Sequence, residues 1–227
     1  MATTFYLPLS NPDPALNIGA MRAAWDASLA ITSQRMVTDK TGFADDVSAS
    51  AALVSKTVGT GVNPNTQGFR QYLSAPLAAQ TISGTAGMLM KCSEQDSTVK
   101  AKASTRLLVV SSLGALKATL LTVSPAASYN NATVLNRRFI VVGTALASFA
   151  CADGDRLCLE TGAYIAATVT GVWAGINFGA NAAKPDLPDS ETANTDANGW
   201  LTLSATIAFL GAGGPGSRGK QSPMVFG

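Results

Sequence analysis

Histidine is absent from the 227 residues of the chain, and no other feature of the composition removes as much chemistry. Without imidazole there is no Ser-His-Asp relay, no Cys-His nucleophile and no copy of the commonest metal ligand. Charge is scarce too: Asp, Glu, Lys and Arg make up 13% of the chain, where soluble domains average about a quarter. The 16 basic and 14 acidic residues leave a formal charge of +2. The basic ones are scattered and form no stripe of the kind that tracks a phosphate backbone, so nucleic acid is not an expected partner. Cysteine is limited to Cys92, Cys151 and Cys158. An odd number without metal-ligand spacing reads as small buried hydrophobes or unpaired thiols, with no disulfide framework.

Leader and membrane signals are missing as well. The opening MATTFYLP has no basic stretch ahead of a continuous apolar one, so no secretory leader is expected. Of two uncharged runs, residues 139–152 are too short for the roughly 20 apolar residues of a spanning helix, and residues 164–183 are broken by Thr168, Thr170, Asn177, Asn181 and glycines. Both read as buried strands, and no membrane partner is expected.

What is present is apolar and β-like. Hydrophobic residues make up 47% of the chain, enough for a substantial core. Residues 1–66 form an N-terminal arm or segment of mixed character. Asn11-Pro12-Asp13-Pro14 signals a turn. Ile18, Met21, Trp25 and Leu29 align on one helical face, giving a short helix over 17–30, while Gly19 and the β character of residues 29–32 and 36–38 oppose it. Residues 67–210 are expected to be a β-sandwich domain and residues 211–227 a Gly-rich C-terminal tail without a core of its own.

Within the domain, Val99, Ala101, Ala103, Leu107 and Val109 alternate with Lys100, Lys102, Ser104 and Arg106, a strand with one wet face. Leu157, Leu159, Ala163 and Ile165 alternate with Arg156, Cys158, Glu160 and Tyr164 in the same way, after the turn Ala152-Asp153-Gly154-Asp155. Further runs at 81–92, 116–123, 137–147, 172–178 and 200–209 bring the expectation to seven or eight strands. Short strands, frequent turns and no helical crossovers give an all-β fold, an antiparallel β-sandwich or jelly roll with an extended N-terminal segment and a C-terminal tail. Residues 181–199 lack either period and read as a long surface loop.

Each motif has a plainer explanation than catalysis. Asp153 and Asp155 supply turn hydrogen bonds around Gly154. Asp186, Asp189 and Glu191 are a possible oxygen cluster for a hard cation but match no calcium loop. Gly214–Lys220 has Gln221 where a phosphate loop needs Ser or Thr. Asn131-Ala132-Thr133 is a chance glycosylation triplet. Tyr164, Trp173 and Trp200 would serve a glycan platform if solvent-facing and coplanar, and are otherwise core. No catalytic, cofactor-binding or metal residue is assigned, and no enzyme activity is expected.

Several stretches act together as a signature: Thr3–Pro8, Arg70–Thr85, Asn136–Phe139, Ala152–Leu157, Asn177-Phe178-Gly179 leading to Asp186-Leu187-Pro188, and Asn198-Gly199-Trp200. The set, spread over most of residues 1–208, resembles small virion proteins of tailed bacteriophages and their prophage relatives. The resemblance implies a phage particle component with a β-sandwich body and offers no active residues. The group has a more acidic loop where this chain reads Gly179–Lys184, so it implies no cation site here. On that basis the expected role is a capsid decoration or cement protein, made in the host cytoplasm and located in the virion. It would bind the major capsid protein and its own copies as a homo-oligomer, trimeric or otherwise. A tail or baseplate adaptor or host-binding appendage is the alternative, and a carbohydrate-binding module a second one. Phe5, Tyr6 and Leu7 and, in the tail, Met224, Val225 and Phe226 are the expected inter-subunit anchors, set against simple fraying of the termini.

Overall fold

The computed structural model describes residues 1–12, 33–47, 53–57, 65–94, 101–123, 136–165, 173–188 and 196–211. Among them there are thirteen strands and no helix. The 17–30 segment expected to hold a helix and the tail from residue 212 lie outside the described residues.

Two sheets face each other. The first is built around β6 (Thr85–Glu94), which pairs with β9 (Asn136–Ala145) along one edge. Along its other edge it pairs first with β13 (Trp200–Leu203) and then with β12 (Trp173–Asn177). β1 (Thr3–Tyr6) adds to β13 with Phe5 opposite Leu201, and β3 (Leu53–Thr57) adds to β12. The second sheet runs β2 (Gln34–Arg35), β4 (Asn65–Leu73), β11 (Arg156–Ile165), β7 (Ala101–Val110), β8 (Leu116–Val123), antiparallel except for the short β2–β4 pair. A small ribbon joins β5 (Gln80–Ile82) to β10 (Phe149–Cys151). The antiparallel β-sandwich expected from the alternation is the observed fold.

Period-2 alternation places the core between the sheets. Phe5, Leu7, Met88, Met90, Val141, Ile176, Leu201 and Leu203 come from the first sheet and its margins, and Tyr72, Leu107, Val109, Leu120, Leu157 and Leu159 from the second. Even a polar member of the inward row is absorbed: Thr105 donates to the Glu160 carbonyl at 2.9 Å and touches Met88 Sδ at 3.9 Å across the interface. Cys92, Cys151 and Cys158 are buried free thiols.

Three features depart from the sequence reading. The opening strand is part of the sandwich, not an arm separate from it, since β1 is a full member of the first sheet. The strand count exceeds seven or eight because short pairings such as β2, β5 and β10 carry too few residues to show a period. The outward face of β7 and β11 is also drier than the alternation implies. Leu108, Val110, Cys158 and Leu73 form a second apolar cluster there. Beside it, buried Gln71 accepts from Ser33 Oγ at 2.5 Å and donates to buried Glu160 at 3.1 Å.

At the described ends of the 181–199 loop, residues 182–186 stand in solvent as a surface loop would, while Leu187 and residues 197–199 are buried over the first sheet. Leu187 and Ala197 pack on Leu89, with Trp200 against them. Buried Asn198 fixes the return, donating through Nδ2 to the carbonyls of Lys184 at 2.8 Å and Pro185 at 3.0 Å and accepting from Asn181 N at 2.7 Å. Gly199 leaves room for its neighbours: a Cβ there would lie 2.5 Å from Met90 Sδ and 3.2 Å from the Leu89 carbonyl oxygen, so any other residue would require Met90 to move.

Candidate interaction surface

At one margin of the sandwich the chain leaves an open cavity of about 500 Å³, a size typical of sites that take small ligands or side chains. Its floor is Phe5 and Met36, both buried. Alternation along β1 sends Phe5 inward, where it meets Phe209 edge-to-face at 6.2 Å between ring centroids. Pro76 and Leu210 close the apolar side, held together by a hydrogen bond from Leu210 N to the Pro76 carbonyl at 2.8 Å. Arg35, Asp39 and Arg156 line the polar side. Leu210 stands on the rim, 45% exposed, and is followed by Gly211 at φ +78°.

A second apolar feature belongs to the same margin. The β7–β8 hairpin turns through Ser111-Ser112-Leu113-Gly114-Ala115, with Gly114 at φ +82°. Ser111 N donates to the Ala115 carbonyl at 2.8 Å, and Ser111 Oγ accepts from Leu113 N and Ala115 N. The turn satisfies its own backbone and presents Leu113 to solvent at 90% exposure, beside Leu116 at 53%. It abuts the turn after β10, since a Cβ on Gly154 would touch Ser112 at 3.6 Å. Segment 75–79 lies under that turn: Leu77 N donates to the Asp155 carbonyl at 2.7 Å, Gly154 N to the Leu77 carbonyl at 2.9 Å and Ala79 N to Asp153 Oδ1 at 2.6 Å.

Asp153 and Asp155 are accounted for by this turn, as their spacing suggested. Asp155, buried, accepts from Ala152 N at 2.8 Å and pairs with Lys117 at 2.6 Å. Of the three N-terminal anchor candidates, Phe5 and Leu7 are 1% and 0% exposed, with no surface left for a neighbour. Only Tyr6 faces outward, half-buried. Its hydroxyl donates to Asp186 Oδ2 at 2.9 Å, and Lys40 binds Asp186 Oδ1 at 2.7 Å while lying 5.2 Å over the Tyr6 ring. Burial first, and then the Asp186 carboxylate, push the Tyr6 phenol up to about 12. Met224, Val225 and Phe226 lie outside the described residues, as do Asp189 and Glu191.

Asp186 is therefore engaged by a cation and a hydroxyl, and no group of His, Cys, Asp or Glu among the described residues is arranged to hold a metal. Trp200 is half-buried and donates its indole N–H to the Leu187 carbonyl at 2.9 Å, so it is packed and not a stacking platform. The side chains of Tyr164 and Trp173 lie outside the described residues.

The exposed leucines at 113, 116 and 210 are not picked out by the sequence reading. The available signal is a leucine inside a serine- and glycine-rich turn, where solvated residues are usual. No family model matches the chain, and no curated protein is significantly similar to it.

Proposed function

We propose that the chain is a structural protein of a tailed-phage particle, a decoration or cement protein that clamps major capsid subunits from outside and associates with its own copies. The observation that carries the reading is the apolar margin of the sandwich: Leu113 and Leu116 presented by a self-satisfied turn, next to an open cavity rimmed by Leu210. Large side chains held in water on a fixed backbone are what an interface needs, because they bring contact area with little conformational entropy left to lose. The resemblance of Arg70–Thr85 and the accompanying stretches to small virion proteins supplies the kind of particle, and the low charge of the sequence suits burial against neighbours.

No catalytic residue, cofactor or metal enters this role, and nucleic acid and membrane are not partners in it. The glycan-binding alternative loses support from Trp200, whose indole is committed to Leu187. Electron microscopy of the intact particle, locating and counting the chain, tests the proposal. Hundreds of copies on the head surface are expected, and a handful or a few dozen copies in the tail would replace decoration by the adaptor reading. A Leu113→Ser, Leu116→Ser double variant should fold as the parent does but lose particle attachment, and undiminished attachment would remove the hairpin from the interface.

A further inference from the structure

We propose that the apolar margin is a contact between two copies of this chain, in which Leu113 of each copy enters the cavity floored by Phe5 and Met36 of the other about a twofold axis. This deepens the reading above and rests on its association of copies. The projection and the recess are neighbours. Ser112, next to Leu113, is 3.6 Å from where a Cβ on Gly154 would lie. Gly154 is two residues from Arg156 of the cavity wall, a step of at most about 7 Å. Leu77, whose N–H donates to the Asp155 carbonyl and whose carbonyl accepts from Gly154 N, is next to Pro76 of the same wall. A projection and a recess side by side complement themselves under a twofold rotation, which sets each projection opposite the other copy's recess and closes the assembly at two.

Each half suits the other in shape. Leu113 is exposed on a turn that satisfies its own backbone, so its position is fixed before contact. The cavity, open and about 500 Å³ in volume, has Pro76, Phe209 and Leu210 on its apolar side and admits a leucine side chain. Leu116 beside the projection and Leu210 at the mouth of the recess are covered with it. Charge agrees with the same pairing. On the projecting side, Lys117 and Asp155 neutralise each other at 2.6 Å, and exposed Asp153, which accepts from Ala79 N, adds one negative charge. On the recessed side, Arg35 and Arg156 outnumber one acid, Asp39, whose Oδ1 accepts from Thr41 N at 2.9 Å and Thr41 Oγ at 2.8 Å. The twofold brings Asp153 over the more basic wall. Contact of two hairpins, or of two cavities, would instead set like charges together.

The test uses the free full chain in two single variants, Leu113→Cys and Leu210→Cys, mixed in equal amounts, oxidised mildly and separated by non-reducing electrophoresis and mass spectrometry. Each variant carries one added thiol and the three native ones are buried, so a disulfide between added thiols joins two copies. The expected product is the mixed dimer, about tenfold over either like-paired dimer, because the contact raises the effective concentration of that thiol pair. Products in the proportions of random collision would overturn the proposal. Sedimentation equilibrium gives an independent reading. The parent should end at the dimer, and Leu113→Ser should raise the dissociation constant on the order of a hundredfold, since two leucines are lost per dimer. A parent that stays monomeric, one that builds species larger than a dimer, or an unchanged constant in the variant would each overturn the pair. A specific crosslink in a chain found absent from the head would leave the pair standing and remove decoration. Random products from a chain counted on the head would remove the pair and leave decoration.

Discussion

Lys91 is a lysine buried on the outer face of the first sheet, and its titration gives the sharpest test of the packing. It points outward from β6 yet is 1% exposed, and its ammonium donates to the Val47 carbonyl. Burial pulls its pKa down to about 8, against the opposing pull of Asp196 and Asp46. In the unfolded chain the value returns to about 10.4. Below about pH 8 both states carry the proton and the native state bears the desolvation cost in full. Between about pH 8 and pH 10.4 the native lysine is neutral while the unfolded one is still charged, so stability from this group rises with pH. The gain amounts to about 3 kcal/mol, at ~1.36 kcal/mol per pK unit over roughly 2.4 units. Other groups work against it. The thiols of Cys151 and Cys158 are pushed up by burial, and so are the phenols of Tyr6 and Tyr72, which lowers stability as their unfolded counterparts ionise. Comparing the parent with Lys91→Met cancels those contributions, since both chains share them. Denaturant unfolding of both, with reductant present, from about pH 7 to about pH 10.5 should show the parent gaining on the variant by about 3 kcal/mol. The unpartnered Val47 carbonyl adds only a constant offset of about 1–3 kcal/mol. A difference that stays flat across that range would mean the ammonium is solvated in the native state, and the account of β6 packing would be wrong.

Four further perturbations probe the parts around the candidate surface. Leu7→Ala should lower the stability of the free chain by about 2–5 kcal/mol in denaturant melts, as expected for a cavity in the core. Tyr6→Phe should stay within about 1 kcal/mol in the same melts, because only an exposed hydroxyl–carboxylate bond is lost. Asp155→Ala should cost about 1–3 kcal/mol, since Ala152 N loses its acceptor beside a buried turn, and thermal unfolding would register this as a lower Tm. Gly84→Ala should cost about 1–3 kcal/mol, because Gly84 sits at φ +96° and a Cβ would collide with Ser204 Oγ, the acceptor for Thr85 N. An unchanged melt would show that the Gly84–Ser204 corner yields freely.

Legibility in the sequence tracks the range of the interactions. β8 is readable to the residue and β7 and β11 nearly so, because period-2 alternation bounded by turns is a local signal. β1 reads as an arm because its partner β13 lies at the far end of the chain, and the Phe5–Leu201 pairing leaves no trace near Phe5. The dry outer face of the second sheet is hidden for the same reason. Cys158 and Glu160 look like the wet half of an alternation until Leu73, Leu108 and Gln71 arrive beside them. The cavity is the least readable feature. Its wall is assembled from residues 5, 35–39, 75–76, 156 and 209–211, which no window of sequence contains.

The two apolar features of the surface differ in how they are held, and the difference bears on how they would be used. Leu113 rides on a turn whose Ser111 hydroxyl and Ala115 carbonyl already take up the free N–H groups, so in the proposed role it would meet a partner in the geometry it has in solution. Contact made through it loses little chain entropy, and the uncharged Ser and Ala residues around it ask for little desolvation. The cavity is instead a recess whose wall is drawn from five separate stretches of chain, so in the proposed role the hairpin would suit first contact with a neighbour and the cavity a side chain that follows it.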